Sequence, residues 1–370
     1  MTGTTIPDGG NNTTAKRNLG FISEWLMNRS TIVPLAIPLI AMGAFFWWLN
    51  KPALEHLFIT SCITLIYVMG FQLFMGNSGI LAWSYIGFVG IGAFTAGICS
   101  MTPQMKDFAI PVMYPILKAI SMPLPLALVM GSLVAALLAA IVARPLMRLS
   151  GAVCVITQFA LLIIINALLS MWQEVTNGPR NFTIGFRPEV GLWGVLICTL
   201  IIVAFAYLFK ESSLGLRLRA SRDDRFAAAT SGVDVVTVRY FAFIISCAVG
   251  AFGGGLYAHY MLDFTGHVFY IGELFVIMSM LVIGGSMSVS GSFFGLILVT
   301  AGRYGLRQLE PFMKSKGIEM TGTTEIILSV LMILFLAWKA NGLSGGRELK
   351  LDWFFKLFKK KQEGATIVQS

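Results

Sequence analysis

Ionisable chemistry is what this sequence has least of. Only 12% of its 370 residues are charged, it has three histidines, and its five cysteines fall at irregular spacing with no Cys-x-x-Cys or Cys/His cluster. That excludes a metal or redox centre built on clustered thiols and imidazoles. Cys62, Cys99, Cys154, Cys198 and Cys247 read instead as small packing residues in or beside apolar runs. No Gly-Lys dipeptide occurs, so the chain lacks a Walker A loop and cannot hydrolyse ATP itself. Glu174, Asp263 and Glu273 sit near the ends of apolar runs rather than midway, where proton- and ion-coupled carriers keep their carboxylates. There is no internal repeat with paired intramembrane charges, which argues against an ion-coupled secondary transporter or channel. No converging His, Asp, Ser or Cys set lies at membrane depth, which argues against a membrane-embedded enzyme.

Apolar runs of 17 to 25 residues are what is there, in a chain that is 56% hydrophobic. This composition predicts an all-α polytopic membrane protein of about ten spans: 31–49, 57–75, 80–99, 122–143, 152–171, 190–209, 239–260, 270–286, 290–308 and 323–341. The third is glycine-rich and open to a partly re-entrant course. The stretch 108–120, with Pro111, Pro115 and Lys118, reads as interfacial. The division is an N-terminal tail (1–30), a membrane domain (31–343) and a basic C-terminal tail (344–370). With an even span count both termini share a side, and that side carries 18 of the 27 Lys and Arg residues. The positive-inside rule makes it cytoplasmic, in a bacterial inner membrane with no cleaved secretory signal expected. The net charge of +9 is explained by an anionic lipid surface and needs no nucleic acid. His56, His259 and His267 read as interfacial.

The loop 210–239 concentrates polarity, with six basic and four acidic residues. Ser221 followed by Asp224 resembles a capping box, Ala227 to Ala229 favour helix, and Gly232 suits a left-handed stop. A short helix over about 222–231 is expected there, outside the membrane, as a docking surface. Arg219, Arg222, Asp223, Asp224, Ala228 and Gly232 are the candidate contacts.

Glycine marks two further features. Gly291 to Gly295, Gly250 to Gly254 and Ala251 to Gly255 repeat small-x-x-x-small spacing. They serve either packing within the chain or a seam against a second membrane subunit. Gly76-Asn77-Ser78-Gly79, then Gly90 and Gly92, give a region where backbone rather than charge could line a path. Thr157, Gln158 and Asn166 in the fifth span are its uncharged polar partners, unless each simply bonds a neighbouring helix. Glu273 is placed near the outer mouth.

From about Leu57 to Leu343 the chain resembles the membrane permease subunits of bacterial branched-chain amino-acid ABC importers, the LivM kind. The likeness rests on Gly76-Asn77-Ser78-Gly79-Ile80-Leu81 leading to Gly90-Ile91-Gly92-Ala93-Phe94-Thr95-Ala96, on the loop from Leu214-Gly215 to Gly232, and on Glu273-Leu274 and Leu281 to Gly285 followed by Ser288, Gly291 and Gly295. It departs from the family pattern at Arg225 and Ala229, at Lys339-Ala340-Asn341-Gly342-Leu343, which lacks a proline, and at Gly151-Ala152-Val153, where Ile156-Thr157-Gln158 is similar to the urea-importing branch. The resemblance implies a type II-like ABC importer permease fold and a non-catalytic role with no cofactor of its own. It also implies pairing with a second, homologous permease, two cytoplasmic ATPases that use the ATP, and a periplasmic binding protein that delivers an amino acid, or alternatively urea or a short amide.

The tail Trp353-Phe354-Phe355-Lys356-Leu357-Phe358-Lys359-Lys360-Lys361 interleaves aromatics with lysines, a pattern suited to an anionic leaflet. Deleting the residues after Leu351 is expected to weaken membrane stability modestly and to spare uptake; complete loss of transport would refute that reading.

Overall fold

The computed structural model describes residues 32–149, 151–185 and 188–314, together with Ile327, Val330, residues 342–345 and Glu348. The expected tenth span and both tails lie outside them, apart from those few positions. Of the other nine expected spans, each coincides with an apolar helix. Among the described residues, six helices have the length and composition to cross a membrane, and the segments Leu35–Leu49, Tyr85–Ser100 and Ile271–Gly284 are shorter apolar helices.

Helix α1 (Ile32–Leu49) is followed by α2 (Pro52–Phe71), which runs on through a π turn at Gln72–Gly76. Next come α3 (Tyr85–Ser100), two short helices α4 (Pro103–Ala109) and α5 (Pro115–Lys118), and α6 (Leu124–Arg148). Helix α7 (Gly151–Met171) leads through the single turn α8 (Gln173–Thr176) to α9 (Leu192–Glu211). The charged loop forms α10 (Ser213–Asp223) and α11 (Arg225–Thr230). Helices α12 (Val235–Met261), α13 (Ile271–Gly284) and α14 (Val289–Lys314) complete the set. A two-residue strand pair joins Phe182–Thr183 (β1) to Asp263–Phe264 (β2) in antiparallel register.

Helix α12, 27 residues and so about 40 Å long, is the hub, and its widest contacts are with α3 and α6. Small residues make this approach possible. A side chain on Gly254 would collide with the carbonyl oxygen of Val89, and one on Gly92 would stand 2.5 Å from the Ala251 Cβ. On α6, Ala127, Gly131, Ala135, Ala139 and Ala143 recur every fourth residue and are buried, while Leu126, Val129, Leu133, Leu137 and Ile141 point outward. Large residues out and small residues in is the pattern expected where lipid, not water, is the solvent. Gly291 and Gly295 face Gly284 and Met280 across the α13–α14 hairpin. Gly250 packs against the Tyr85 ring. The small-residue spacings are therefore filled from within the chain.

The third run departs from its expected course. Helix starts at Tyr85, so α3 has 16 residues and spans about 24 Å, short of a hydrocarbon core of roughly 30 Å. The preceding segment 77–84 is largely non-helical at membrane depth, tolerable only because protein surrounds it. Asn77, Ser78 and Ser84 in it are all buried. Asn77 Nδ2 donates to the Leu73 carbonyl at 3.0 Å, and the Ser84 hydroxyl to Gln158 Oε1 at 3.3 Å. His259 is also not interfacial: it is fully buried, hydrogen-bonded to the Gly255 carbonyl and the Ser100 hydroxyl at 2.7 Å each, and so ties α12 to α3. Four of the five cysteines are buried, and none is disulfide-bonded.

Between α3 and α6, where an interfacial stretch was expected, the chain forms only α4 and α5. Lys106 is buried there, its ammonium donating to the Leu117 carbonyl at 2.8 Å and to that of Ile120. Burial pushes its pKa below the ordinary lysine value, an effect that the nearby Cys99 opposes.

The hub predicts that Gly254→Val forces α12 away from α3. A loss of about 1–3 kcal/mol is expected for such overpacking, read as a lower Tm of the detergent-purified chain, whereas Gly272→Ala, which meets nothing within 4 Å, leaves Tm unchanged.

Candidate functional site

Helix α2 carries His56, Thr60, Thr64 and Tyr67 at spacings of four, four and three residues, which aligns them on one face over about 16 Å. That face lines a cavity of about 300 Å³ between α2, α12, α13 and α14. The Thr60, Ser61 and Thr64 hydroxyls donate back to carbonyls four residues earlier, at 2.8, 2.7 and 2.9 Å. Their donors are thereby used, and what they offer the cavity is acceptor lone pairs. At its inner end the Tyr67 hydroxyl is buried with no hydrogen-bond partner among the described residues, and a buried polar atom in that position calls for a further group to satisfy it.

Charge enters from the far side. Glu273 lies in the first turn of α13, where the helix N-terminus favours a carboxylate. Arg303 lines the same cavity from α14, beside Thr300 and Tyr304. Leu57, Met261, Val268, Phe269 and Met280 supply apolar wall. One carboxylate, one guanidinium, several hydroxyls and a greasy side fit a small molecule that has both charged and apolar parts.

Of the eight expected path residues, Glu273 alone lines this cavity. Gly90 packs against Leu169 and Phe269, and Gly92 against Ala251. Gln158 bonds Ser84 and Cys154; Asn166 Nδ2 donates to the Gly266 carbonyl at 3.0 Å; Thr157 donates to its own helix at Val153. Gly76 and Gly79 belong to a second place. There Arg222 Nη1 donates to the Gly76 carbonyl at 2.6 Å, and its side chain lies over Gly79, whose φ of +71° suits glycine alone. The charged loop is thus tied directly to the end of α2.

Within the loop the expected helix is present but begins later. Ser221 sits inside α10 and donates to the Leu218 carbonyl at 2.8 Å, so it caps nothing. Asp224 is the cap: its carboxylate accepts from the amides of Phe226 and Ala227 at 2.8 and 3.0 Å. Gly232, with φ +84°, makes the expected stop. Asp234 caps α12 in turn, and hydrogen bonds led by the Thr237 hydroxyl hold its carboxyl below the usual carboxylate range. That cap is in place at neutral pH and is lost as pH falls through the depressed value.

Asp223, Asp224 and Gly232 are exposed, Arg219 and Arg222 half-buried, and Ala228 is buried against α12. The side chain most available on α11 is Phe226, 83% exposed. Sequence reasoning passed over Phe226 and over the α2 polar face. The second was visible as the spacing of His56, Thr60, Thr64 and Tyr67; the first had no periodic signal in six residues.

A cysteine-free chain with Thr64→Cys is expected to react with a water-soluble thiol reagent, while cysteines at 158 and 166 stay as unreactive as one at the lipid-facing Ile164. Equal labelling at all four positions would dismiss the cavity as a solvent-reached site.

Comparison with known proteins bears on the family. The family model described as branched-chain amino acid transport system / permease component matches residues 53–336. The high-affinity branched-chain amino acid transport system permease protein LivM of Salmonella typhimurium is 25% identical over 317 residues, covering 76% of this chain and 68% of that protein. Its Escherichia coli counterpart is 23% identical over the same shares. The guanosine ABC transporter permease protein NupQ of Bacillus subtilis is 36% identical over 100 residues, 27% of this chain and 31% of its own length. No solved structure matches.

Proposed function

This chain belongs to the branched-chain amino acid transport permease family, a transport component and not an enzyme, and on that premise we propose that it passes an apolar, zwitterionic amino acid through the cavity between α2, α12, α13 and α14. The observation that carries this reading is the presence of Glu273 and Arg303 on one small cavity with an apolar wall. A zwitterion brings an ammonium for the carboxylate and a carboxylate for the guanidinium, so neither charge of the protein or the ligand is desolvated alone. A branched aliphatic side chain suits Leu57, Met261 and Met280.

Energy then comes from outside the chain. We infer two ATPase subunits docked on the charged loop, with Asp223, Asp224, Phe226 and Gly232 as the exposed face, Arg219 and Arg222 bracing it, and Ala228 seating α11 on α12. A second, related permease and an extracytoplasmic binding protein complete the importer in the inner membrane, with the charged loop cytoplasmic. Gly76 and Gly79, held by Arg222, form the inner stretch of the path, and Gly90, Gly92, Thr157, Gln158 and Asn166 shape its wall from behind.

A second reading is transport of a nucleoside, which the likeness to the guanosine permease supports over a short stretch. Its base would stack on the face of Tyr257 or Phe269, rings that meet edge to face with centroids 5.7 Å apart.

In proteoliposomes holding the full assembly, Glu273→Gln and Arg303→Gln are each expected to cut leucine uptake by about tenfold or more, as loss of a hydrogen bond to a charged group does. Phe226→Ala is expected to weaken co-purification of the ATPase. Unchanged leucine uptake in both cavity variants, or uptake abolished by excess guanosine and not by excess isoleucine, would overturn the amino-acid reading.

A further inference from the structure

Lys210, in the last turn of α9, is 4% exposed, an unusual place for an ammonium group. It donates to the Met287 carbonyl at 2.6 Å and pairs with the Glu348 carboxylate at 2.5 Å. Glu348 in turn accepts from the Val289 amide at 2.8 Å, the Ser290 amide at 3.1 Å and the Ser290 hydroxyl at 2.9 Å. A residue nearly sixty positions away thus shares the N-terminal capping of α14 with the adjacent Ser288, whose hydroxyl accepts from the Gly291 amide at 2.8 Å; Glu348 satisfies the two amides before it and sets a negative charge at the positive end of the helix dipole. Residues just before it fasten the same hairpin: the Leu343 and Ser344 amides donate to the Ile283 and Gly284 carbonyls at 2.9 and 3.1 Å. The Ser288 hydroxyl donates to that of Ser344 at 2.8 Å.

The other side of Lys210 is the charged loop. Its carbonyl accepts from Arg219 Nη2 at 3.0 Å, and the α9–α10 turn closes so tightly that a Cβ on Gly215 would strike the carbonyls of Phe209 and Lys210. Along α14 from its capped end, at about 16 to 22 Å, stand Thr300, Arg303 and Tyr304 on the cavity.

We propose that the buried Lys210–Glu348 pair is the linkage that carries movement of the charged loop into α14 and so to the cavity, Lys210 and Glu348 being positioning residues rather than parts of the binding site. This rests on the reading that the charged loop receives the ATPase. Apart from its packing on α12, into which it runs, the loop reaches the cavity helices through Arg222 on the end of α2 and Lys210 on the start of α14, and the second contact joins three separate stretches of chain at one carboxylate. Removing either partner strands a buried charge and leaves α14 free to move independently of α10.

The test uses the complete permease and ATPase assembly in proteoliposomes and reads substrate moved per ATP hydrolysed. Lys210→Met and Glu348→Gln are expected to keep the ATPase bound and ATP turnover intact while this ratio falls by about fivefold or more, the scale of a site-to-site coupling. Lys210→Arg is expected to hold the ratio. A cysteine-free chain carrying Lys210→Cys and Glu348→Cys should behave like the single variants until a short bifunctional thiol reagent bridges the two positions, whereupon the ratio recovers. A wild-type ratio in Lys210→Met and Glu348→Gln, or a fall that bridging does not reverse, overturns the linkage. Failure of the unmodified chain to bind any ATPase would instead remove the premise.

Discussion

Everything in this structure depends on how closely α12 can approach its neighbours. In lipid the apolar side chains of separate helices gain little by leaving their surroundings, so helices are held by van der Waals contact and by interhelical hydrogen bonds. Contact of that kind needs small residues. Gly92 against Ala251, Gly254 against Val89, and Gly131 against the Gly92 carbonyl bring three backbones together. Around this joint the rest is arranged: α2 on one side of α12, the α13–α14 hairpin beyond it, and α9 with α1 outside.

A tightly packed hub leaves few places for polar groups, and those places are consequently informative. Some polar side chains lock elements together, as His259 does between α12 and α3 and Asn166 does to Gly266. Others gather on the cavity, where the Tyr67 hydroxyl has no partner among the described residues. The distinction is geometric. Gln158 and Asn166 are as polar as Thr60 and Thr64, yet their groups are consumed by neighbouring elements, whereas the α2 hydroxyls satisfy their donors locally and keep acceptors facing an open volume.

The two ends of the molecule differ in what they present. At the end bearing the cavity a carboxylate and a guanidinium share a small volume with apolar wall. At the other, α10 and α11 are fixed to the membrane helices through Arg222 and Lys210 and present Phe226 outward. A rigid helix joins them: α14 begins at the Lys210–Glu348 pair and passes the cavity three turns later. Rigid elements between two anchored ends are what a mechanical coupling requires.

Composition and apolar run length by themselves determined the class and the approximate positions of nine helices, because the cost of placing polar backbone in lipid leaves a chain of this kind no alternative to helix; the short helix of the charged loop was legible from its Ala run, Asp224 and Gly232 instead. The small-residue spacings likewise announced close packing. What faces what was decided only by tertiary structure. Sequence spacing puts Thr60, Thr64 and Tyr67 on one face as surely as it puts Gln158 and Asn166 near one another, and nothing local says which face meets a cavity and which meets a neighbouring helix. Arg303 and Glu273 are thirty residues apart and become one site only through the α13–α14 hairpin. Glu348 shows the limit most plainly: in sequence it is one acid at the edge of a basic tail, and it becomes a cap of α14 beside the local Ser288 because folding delivers it to the Val289 and Ser290 amides.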